Sequence, residues 1–236
     1  SIHIDIRDIH FDKECFTKII KIGLPAGLQS AVFAIANIVI QAAINSLGTV
    51  VIAASSAAFN IEIFAYYVLN SFSQACTTFV GQNYGAGQIK RCRKILLLCI
   101  LEDALASATV IILVILSGRL LLSIFSSNPQ VIEIGYTRLL IILSAYTFSM
   151  LYENMSGYLR GFGDSLIPAV LTVIGVCAVR ITWIYTVFQA YRTFTSILIA
   201  YPVSLSATAL LIFTALMIYR PSRRYAAANE TGSGEI

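Results

Sequence analysis

Apolar residues fill six long blocks of the chain, and short polar segments separate the blocks. A run of about 20 apolar residues crosses the hydrocarbon core of a bilayer as an α-helix. The blocks are too long and too uniformly apolar for the alternating strands of about 10 residues that build membrane β-barrels. The pattern therefore predicts an all-α integral membrane protein, a six-helix transmembrane bundle. The predicted spans cover residues 16–47, 50–80, 95–116, 131–158, 166–188 and 194–219.

Composition agrees with this interpretation. Of the 236 residues, 58% are hydrophobic and only 12% are charged, whereas soluble domains carry about 25% charged residues. We divide the chain into a polar N-terminal arm at 1–13, a membrane lobe at 14–220 and a small polar tail at 221–236. We expect the tail to be disordered, because it holds too little apolar surface to fold.

Positive charges lie on one side of the predicted bundle. If both termini are cytoplasmic, the outer loops carry only Arg119 and Arg192, and the inner segments carry twelve lysines and arginines. Cytoplasmic loops are enriched in these residues, so we predict a multi-pass protein of the plasma (inner) membrane with both termini inside. The net charge of +4 then reflects topology and contact with anionic membrane lipids rather than nucleic-acid binding. The inner residues are Arg7, Lys13, Lys18, Lys21, Lys90, Arg91, Arg93, Lys94, Arg160, Arg220, Arg223 and Arg224.

Polar residues form stripes along the predicted spans. Each of the two main stripes falls within an arc of about 80° on its helix, which predicts polar faces turned to a common aqueous cavity. The alternative is interhelical hydrogen bonding that only holds the bundle together, for which Gly23/Gly27 and Gly157/Gly161 have a suitable spacing. The second span presents Glu62, Tyr66, Asn70, Ser73 and Thr77, and the fourth presents Arg138, Tyr146, Ser149, Glu153, Ser156 and Arg160. Polar residues of the first span, Gln29, Asn37 and Gln41, form a less regular line. We expect these three residues, together with Ser73, Tyr146 and Ser149 of the two stripes, to line the substrate cavity.

Ionisable residues at membrane depth each cost about 2.5–3.5 kcal/mol, so they require a partner or a wet cavity. We predict that Glu62 and Glu153, assisted by Tyr66 and Asn70, bind a cation or a proton. For Glu62 the alternative is a structural pair with Arg138 or Arg180, and for Glu153 a pair with Arg160. Structural ion pairs are predicted for Arg138, Arg180, Glu102 and Asp103.

The sequence offers no residues for an enzyme or for a metal site. The five cysteines lack metal-ligand or C-x-x-C spacing, and we interpret them as buried small hydrophobic residues. The glycine-rich segment GQNYGAG at 81–87 is not a phosphate-binding loop, because no predicted strand precedes it. We therefore expect no cofactor.

Four segments carry a resemblance to the multidrug and toxic compound extrusion (MATE) family. They are IGLPAGLQS at 22–30, GQNYGAGQIKRCRK at 81–94, LRGFGDS at 159–165 and RITWIY at 180–185. They occur in family order and with family spacing across nearly all of residues 14–220, and they resemble the C-terminal half of such a transporter.

The resemblance implies a twelve-helix exporter made of two six-helix lobes around a central cavity. This chain would be the second lobe, its N-terminal arm would be an inter-lobe linker, and its partner would be a first lobe or a separate half. Such transporters export organic cations, often drugs, in exchange for Na⁺ or H⁺. The resemblance thus implies that Glu62 and Glu153 bind the coupling ion, Na⁺ or H⁺. On this hypothesis, replacing Glu62 with Gln should abolish coupled export and leave folding intact. The first span here holds no acidic residue, unlike the seventh helix of many members.

Two other functions stay open at this point. A flippase for lipid-linked saccharides shares the architecture, and it would use a larger and more cationic cavity, to which Arg138 and Arg180 could contribute. Alternatively, the chain is a membrane scaffold or an inactive fragment without transport of its own. Flux into proteoliposomes separates the last alternative from the other two.

Overall fold

The computed structural model of the chain describes residues 12–222, which form helices joined by short turns and contain no strand. The predicted arm at 1–13 and tail at 221–236 lie outside this described part except for residues 12, 13, 221 and 222. The helices are α1 Lys13–Asn45, α2 Thr49–Gly85, α3 Ile89–Phe125, α4 Pro129–Gly161, α5 Leu166–Thr172, α6 Val179–Tyr185, α7 Val187–Ala190 and α8 Phe194–Tyr219.

Six helical segments of this structure are long and apolar enough to cross a membrane, which confirms the predicted six-span fold. The fifth span is not one continuous α-helix. It runs from α5 through a π-helical stretch, Val173–Ala178, into α6 and α7. The helix α3 extends six residues before and nine residues after the predicted span at 95–116, because its basic first turns are good helix formers that need not lie in hydrocarbon.

Short loops make consecutive spans antiparallel neighbours, and glycines with positive φ allow the chain to turn. Gly48, Gly87 and Gly163 have φ of 98°, 71° and 88°, a conformation that side chains with a Cβ rarely adopt. The GQNYGAG segment is thus the C-terminal end of α2 and the turn into α3. Within this segment, Gly87 has the positive φ that the turn requires.

The helices α2 and α4 pack closely at their C-terminal ends because two glycines of α4 face α2. A Cβ at Gly157 would lie 2.5 Å from the carbonyl oxygen of Ser73, and a Cβ at Gly161 would lie 2.6 Å from the Cβ of Val80. At Gly23 and Gly27 a Cβ would meet nothing within 4 Å. Of these two glycine pairs, whose spacing is suitable for close helix contact, the pair in α4 mediates a close helix approach within the described chain and the pair in α1 does not.

Large apolar side chains cover the outside of the bundle, as expected for a surface in contact with lipid. The buried core lies mainly between α2, α4 and α8, and it includes Leu69, Leu143 and Leu198. The outer face of α3 exposes leucines and isoleucines along most of its length: Leu97, Leu101, Leu105, Ile112, Leu116, Leu120 and Ile124. Exposure of this extent is rare on a soluble monomer, so the surface agrees with the membrane assignment.

The close approach of α2 and α4 predicts that Gly157→Ala destabilises the bundle, because the new methyl group overlaps backbone atoms of α2. Overpacking of this kind costs about 1–3 kcal/mol. The measurement is thermal unfolding in detergent with a thiol-reactive dye, since Cys76, Cys92, Cys99 and Cys177 are buried and become reactive on unfolding. Gly23→Ala is the matched control and should unfold like the parent protein. Unchanged unfolding of Gly157→Ala would contradict the packing described here.

Candidate functional site

A cavity of about 1080 Å³ lies among α1, α2, α4, α6 and α8. Both polar stripes predicted from the sequence contribute to its wall, because α2 and α4 turn these faces to the same space. All four predicted coupling residues and five of the six predicted cavity residues line it: Glu62, Tyr66, Asn70 and Glu153, and Gln29, Asn37, Gln41, Tyr146 and Ser149. Glu62 and Glu153 are buried, so neither acid faces lipid.

Ser73 does not line this cavity, contrary to the sequence prediction. It is completely buried at the contact between α2 and α4, where its hydroxyl donates to the backbone carbonyl of Glu153 at 2.7 Å. The same hydroxyl accepts a hydrogen bond from a terminal nitrogen of Arg160 at 3.0 Å. Because Gly157 allows the two helices to come close here, the hydroxyl of Ser73 can link α2 to α4 by hydrogen bonds.

Glu62 on α2 and Arg138 on α4 form an ion pair through two hydrogen bonds. Nε and Nη2 of Arg138 donate to the two carboxylate oxygens of Glu62 at 3.1 and 2.6 Å, and Nη1 donates to Ser55 Oγ at 2.8 Å. Both charged side chains are only 4% exposed. The structure thus contains the pair that the sequence offered as an alternative role for Glu62. A carboxylate held by this planar fork is strongly restrained in its present position.

Glu153 is held much more loosely than Glu62. Its carboxylate lies 3.7 Å from a terminal nitrogen of Arg160, and the two side chains are 11% and 23% exposed. This is an ion pair at the limit of contact, and Arg160 directs its hydrogen bond to Ser73 instead. Both residues line the cavity.

Arg180 on α6 and Tyr201 on α8 also line the cavity. The guanidinium carbon of Arg180 lies 4.1 Å from the centre of the Tyr201 ring, a cation–π geometry. Its Nε donates to Ser204 Oγ at 2.9 Å. Arg138 lies 5.8 Å from the same ring, so Tyr201 contacts both guanidinium groups.

Three of the four residues predicted to form structural ion pairs lack one among the described side chains. Arg138 is paired, but Arg180, Glu102 and Asp103 have no oppositely charged atom within 4.0 Å. Asp103 instead accepts hydrogen bonds from Ser107 at 2.6 Å and Asn154 at 2.5 Å. Glu102 is exposed on α3, since adjacent helical positions point in directions about 100° apart. No metal-binding group of His, Cys, Asp or Glu occurs in residues 12–222.

The sequence contained signals for several site residues that the predictions missed. Ser55 precedes Glu62 by seven positions, which places both on one face of α2 and extends the stripe outward. Tyr201, Ser204 and Thr208 follow each other at spacings of three and four on α8, and they form a third polar line. It is shorter than the other two and begins beside a proline, so it is less apparent in the sequence.

Comparisons with known proteins agree with this architecture. The MatE family model matches residues 25–186. "Probable multidrug resistance protein NorM" of Thermotoga maritima is 26% identical over 74% of this chain and 38% of its own length. The "FAD transporter" of Shewanella oneidensis is 30% identical over 59% of this chain and 31% of its own length. The solved structure of MATE in the bent conformation is 18% identical and superposes with a TM-score of 0.80, covering 98% of this chain and 50% of that one.

A six-span bundle with a polar cavity defines a multi-pass membrane protein of the transporter class, and the family match makes the assignment specific. This chain belongs to the MATE family of multidrug and toxic compound extrusion transporters. It spans about half the length of the solved transporter and less than half the length of the curated relatives described above.

The burial of the Glu62–Arg138 pair predicts that Glu62→Gln lowers stability, in contrast to the expectation from sequence that folding would stay intact. Removing one partner of a buried ion pair costs about 3–5 kcal/mol, because the other charge is left uncompensated. The double variant Glu62→Gln/Arg138→Met should recover part of the loss in a thermal unfolding assay.

The matched control is the ion pair of Arg119 and Glu133, which has a similar N–O distance of 2.8 Å but is about 60% exposed on both sides. Replacing Glu133 with Gln should hardly change the melting temperature. If Glu62→Gln and Glu133→Gln had equally small effects, the buried pair would not stabilise the bundle.

Proposed function

We propose that this chain forms one lobe of a secondary transporter that exports amphipathic organic cations in exchange for Na⁺ or H⁺. The substrate binds in the cavity between this lobe and a second lobe, supplied by the same protein or by a partner chain. The two lobes rock to open the cavity alternately to either side of the membrane. The relatives described above bear the names of drug and FAD transporters, which does not favour the flippase alternative.

The observation that carries this proposal is the weakly held carboxylate of Glu153 in the cavity wall. Glu62 is bound by Arg138 at 2.6 and 3.1 Å, whereas Glu153 has Arg160 at 3.7 Å as its nearest cation among the described side chains. A proton, a sodium ion or a cationic substrate can therefore replace Arg160 at moderate cost. Oxygen atoms of Tyr66 and Asn70 line the same cavity and could complete the ligands of Na⁺.

Competition between substrate and coupling ion for the carboxylate of Glu153 produces the exchange of one for the other across the membrane. A cationic substrate and the coupling ion both need the negative charge of Glu153, so binding of one favours release of the other. Transport in one direction follows if the ion binds more tightly in one of the two conformations, because only a difference in affinity shifts a conformational equilibrium. The Glu62–Arg138 pair remains closed in this scheme and keeps α2 and α4 together while the lobe moves.

The role of Glu153 is tested with Glu153→Gln in the full-length transporter that contains this chain, reconstituted in proteoliposomes. Gradient-driven ethidium transport should fall at least about tenfold, since loss of a charge-assisted contact of about 1.5–3 kcal/mol has that effect. Na⁺ and pH gradients are applied separately to name the coupling ion. Glu133→Gln, an exposed acid near the outer end of the same helix, should transport normally. Normal coupled transport by Glu153→Gln would remove this residue from the mechanism.

The proposed orientation places the turn between α3 and α4 outside the cell and the turn between α2 and α3 in the cytoplasm, as the distribution of positive charge requires. A cysteine introduced at Ser127 should react with a membrane-impermeant maleimide on intact bacteria. A cysteine at Gln88 should react only after the cells are opened. The labelling uses a Cys15→Ser background, because Cys76, Cys92, Cys99 and Cys177 are buried and give little signal of their own. The reverse labelling pattern would invert the topology.

A further inference from the structure

Arg180 is a buried cation without a carboxylate partner. The residue is 7% exposed, lies in the fifth span and lines the cavity. One side of its guanidinium is fixed, because Nε donates to Ser204 and the plane stacks on Tyr201. The two terminal nitrogens make no hydrogen bond or ion pair with any side chain or carbonyl between residues 12 and 222.

The charges of the cavity wall leave Arg180 in excess. Five charged residues line the cavity: Glu62, Arg138, Glu153, Arg160 and Arg180. Two ion pairs account for the first four, so this lobe presents one uncompensated positive charge. A cation at membrane depth is expensive unless it is paired or faces water, and an arginine does not become neutral by losing its proton.

The geometry of the side chain favours one kind of partner. A guanidinium presents its donors as a planar fork that matches the two oxygens of a carboxylate or a phosphate. Stacking on Tyr201 and the bond to Ser204 fix the plane of this fork before a ligand arrives, which lowers the entropy lost on binding. Nearby aromatic rings of Phe33, Phe59 and Tyr66 also line the cavity and offer flat surfaces for an aromatic body.

We propose that Arg180 is the specificity-determining residue for transported compounds that carry a carboxylate or a phosphate. The anionic group pairs with Arg180 while a cationic part of the same compound approaches Glu153. This inference rests on the proposed export function and names the residue of this lobe that binds the anionic group. It assigns to Arg180 a role in recognition in place of the structural ion pair predicted from the sequence.

The test compares two dyes that differ in a single group. Rhodamine 19 carries a free carboxylate, and rhodamine 6G is its ethyl ester with the same cationic ring system. Binding of each dye to the detergent-purified full-length protein is measured by fluorescence polarisation. Arg180→Gln should raise the Kd of the acid dye relative to that of the ester by about ten- to hundredfold, the effect of losing a charge-assisted contact. Arg119→Gln, an exposed arginine that is outside the cavity and pairs with Glu133, should leave this ratio unchanged.

A second variant keeps the test valid if Arg180→Gln does not fold. Arg180→Lys preserves the positive charge but loses the planar fork, so it should weaken binding of the acid dye selectively and to a smaller extent. Equal losses for both dyes in either variant would show that Arg180 acts only through its packing on Tyr201. An unchanged ratio in both variants would also overturn the proposal.

Competition identifies the source of the anion. Benzoate or phenyl phosphate should displace the acid dye from the parent protein and not from Arg180→Gln. Displacement only by phosphatidylglycerol added to the micelles would assign the site to a lipid headgroup and overturn the substrate role. Ethidium carries no carboxylate, so its transport by the parent protein tests the export function separately. If the parent protein did not transport ethidium but still bound the acid dye through Arg180, the export function would be refuted and the anion site would be retained.

Discussion

The ion pair between Glu62 and Arg138 joins α2 and α4, the two central helices of a bundle whose outer surface faces lipid. Both side chains are almost completely enclosed, and each would be costly at this depth without the other. Their contact requires that α2 and α4 run side by side, and the glycines at 157 and 161 permit this at the C-terminal ends of both helices. The polar faces of both helices can then meet the same cavity.

The charged residues of the cavity differ in how firmly the protein holds them. Glu62 is bound by a planar fork, the nearest cation to Glu153 is Arg160 at 3.7 Å, and Arg180 has no carboxylate partner among the described side chains. A transporter needs groups that exchange partners during each cycle, and tightly paired groups do this poorly. The loosely held acid and the unpaired arginine are therefore the positions where ligands can compete with the protein itself.

The fifth span determines where Arg180 points. A π-helical stretch, Val173–Ala178, precedes it, and Gly175 in this stretch lies against Thr208 of α8, where a Cβ would clash with the threonine side chain. A π-helix holds more residues in each turn than an α-helix. Residues beyond it are rotated relative to an uninterrupted α-helix, so the periodicity of the sequence does not predict the face on which Arg180 lies.

The sequence by itself determined the six spans and the two polar stripes, because bilayer thickness fixes the length of an apolar helix and helical periodicity fixes which residues share its face. Only the tertiary structure decided that Glu62 pairs with Arg138 and not with Arg180. It also placed Ser73 at the contact of α2 and α4, where its hydroxyl donates to the backbone carbonyl of Glu153. Asp103 accepts hydrogen bonds from the hydroxyl of Ser107 and the amide of Asn154. Such choices depend on distances between side chains of different helices, and the periodicity within one helix contains no information about them.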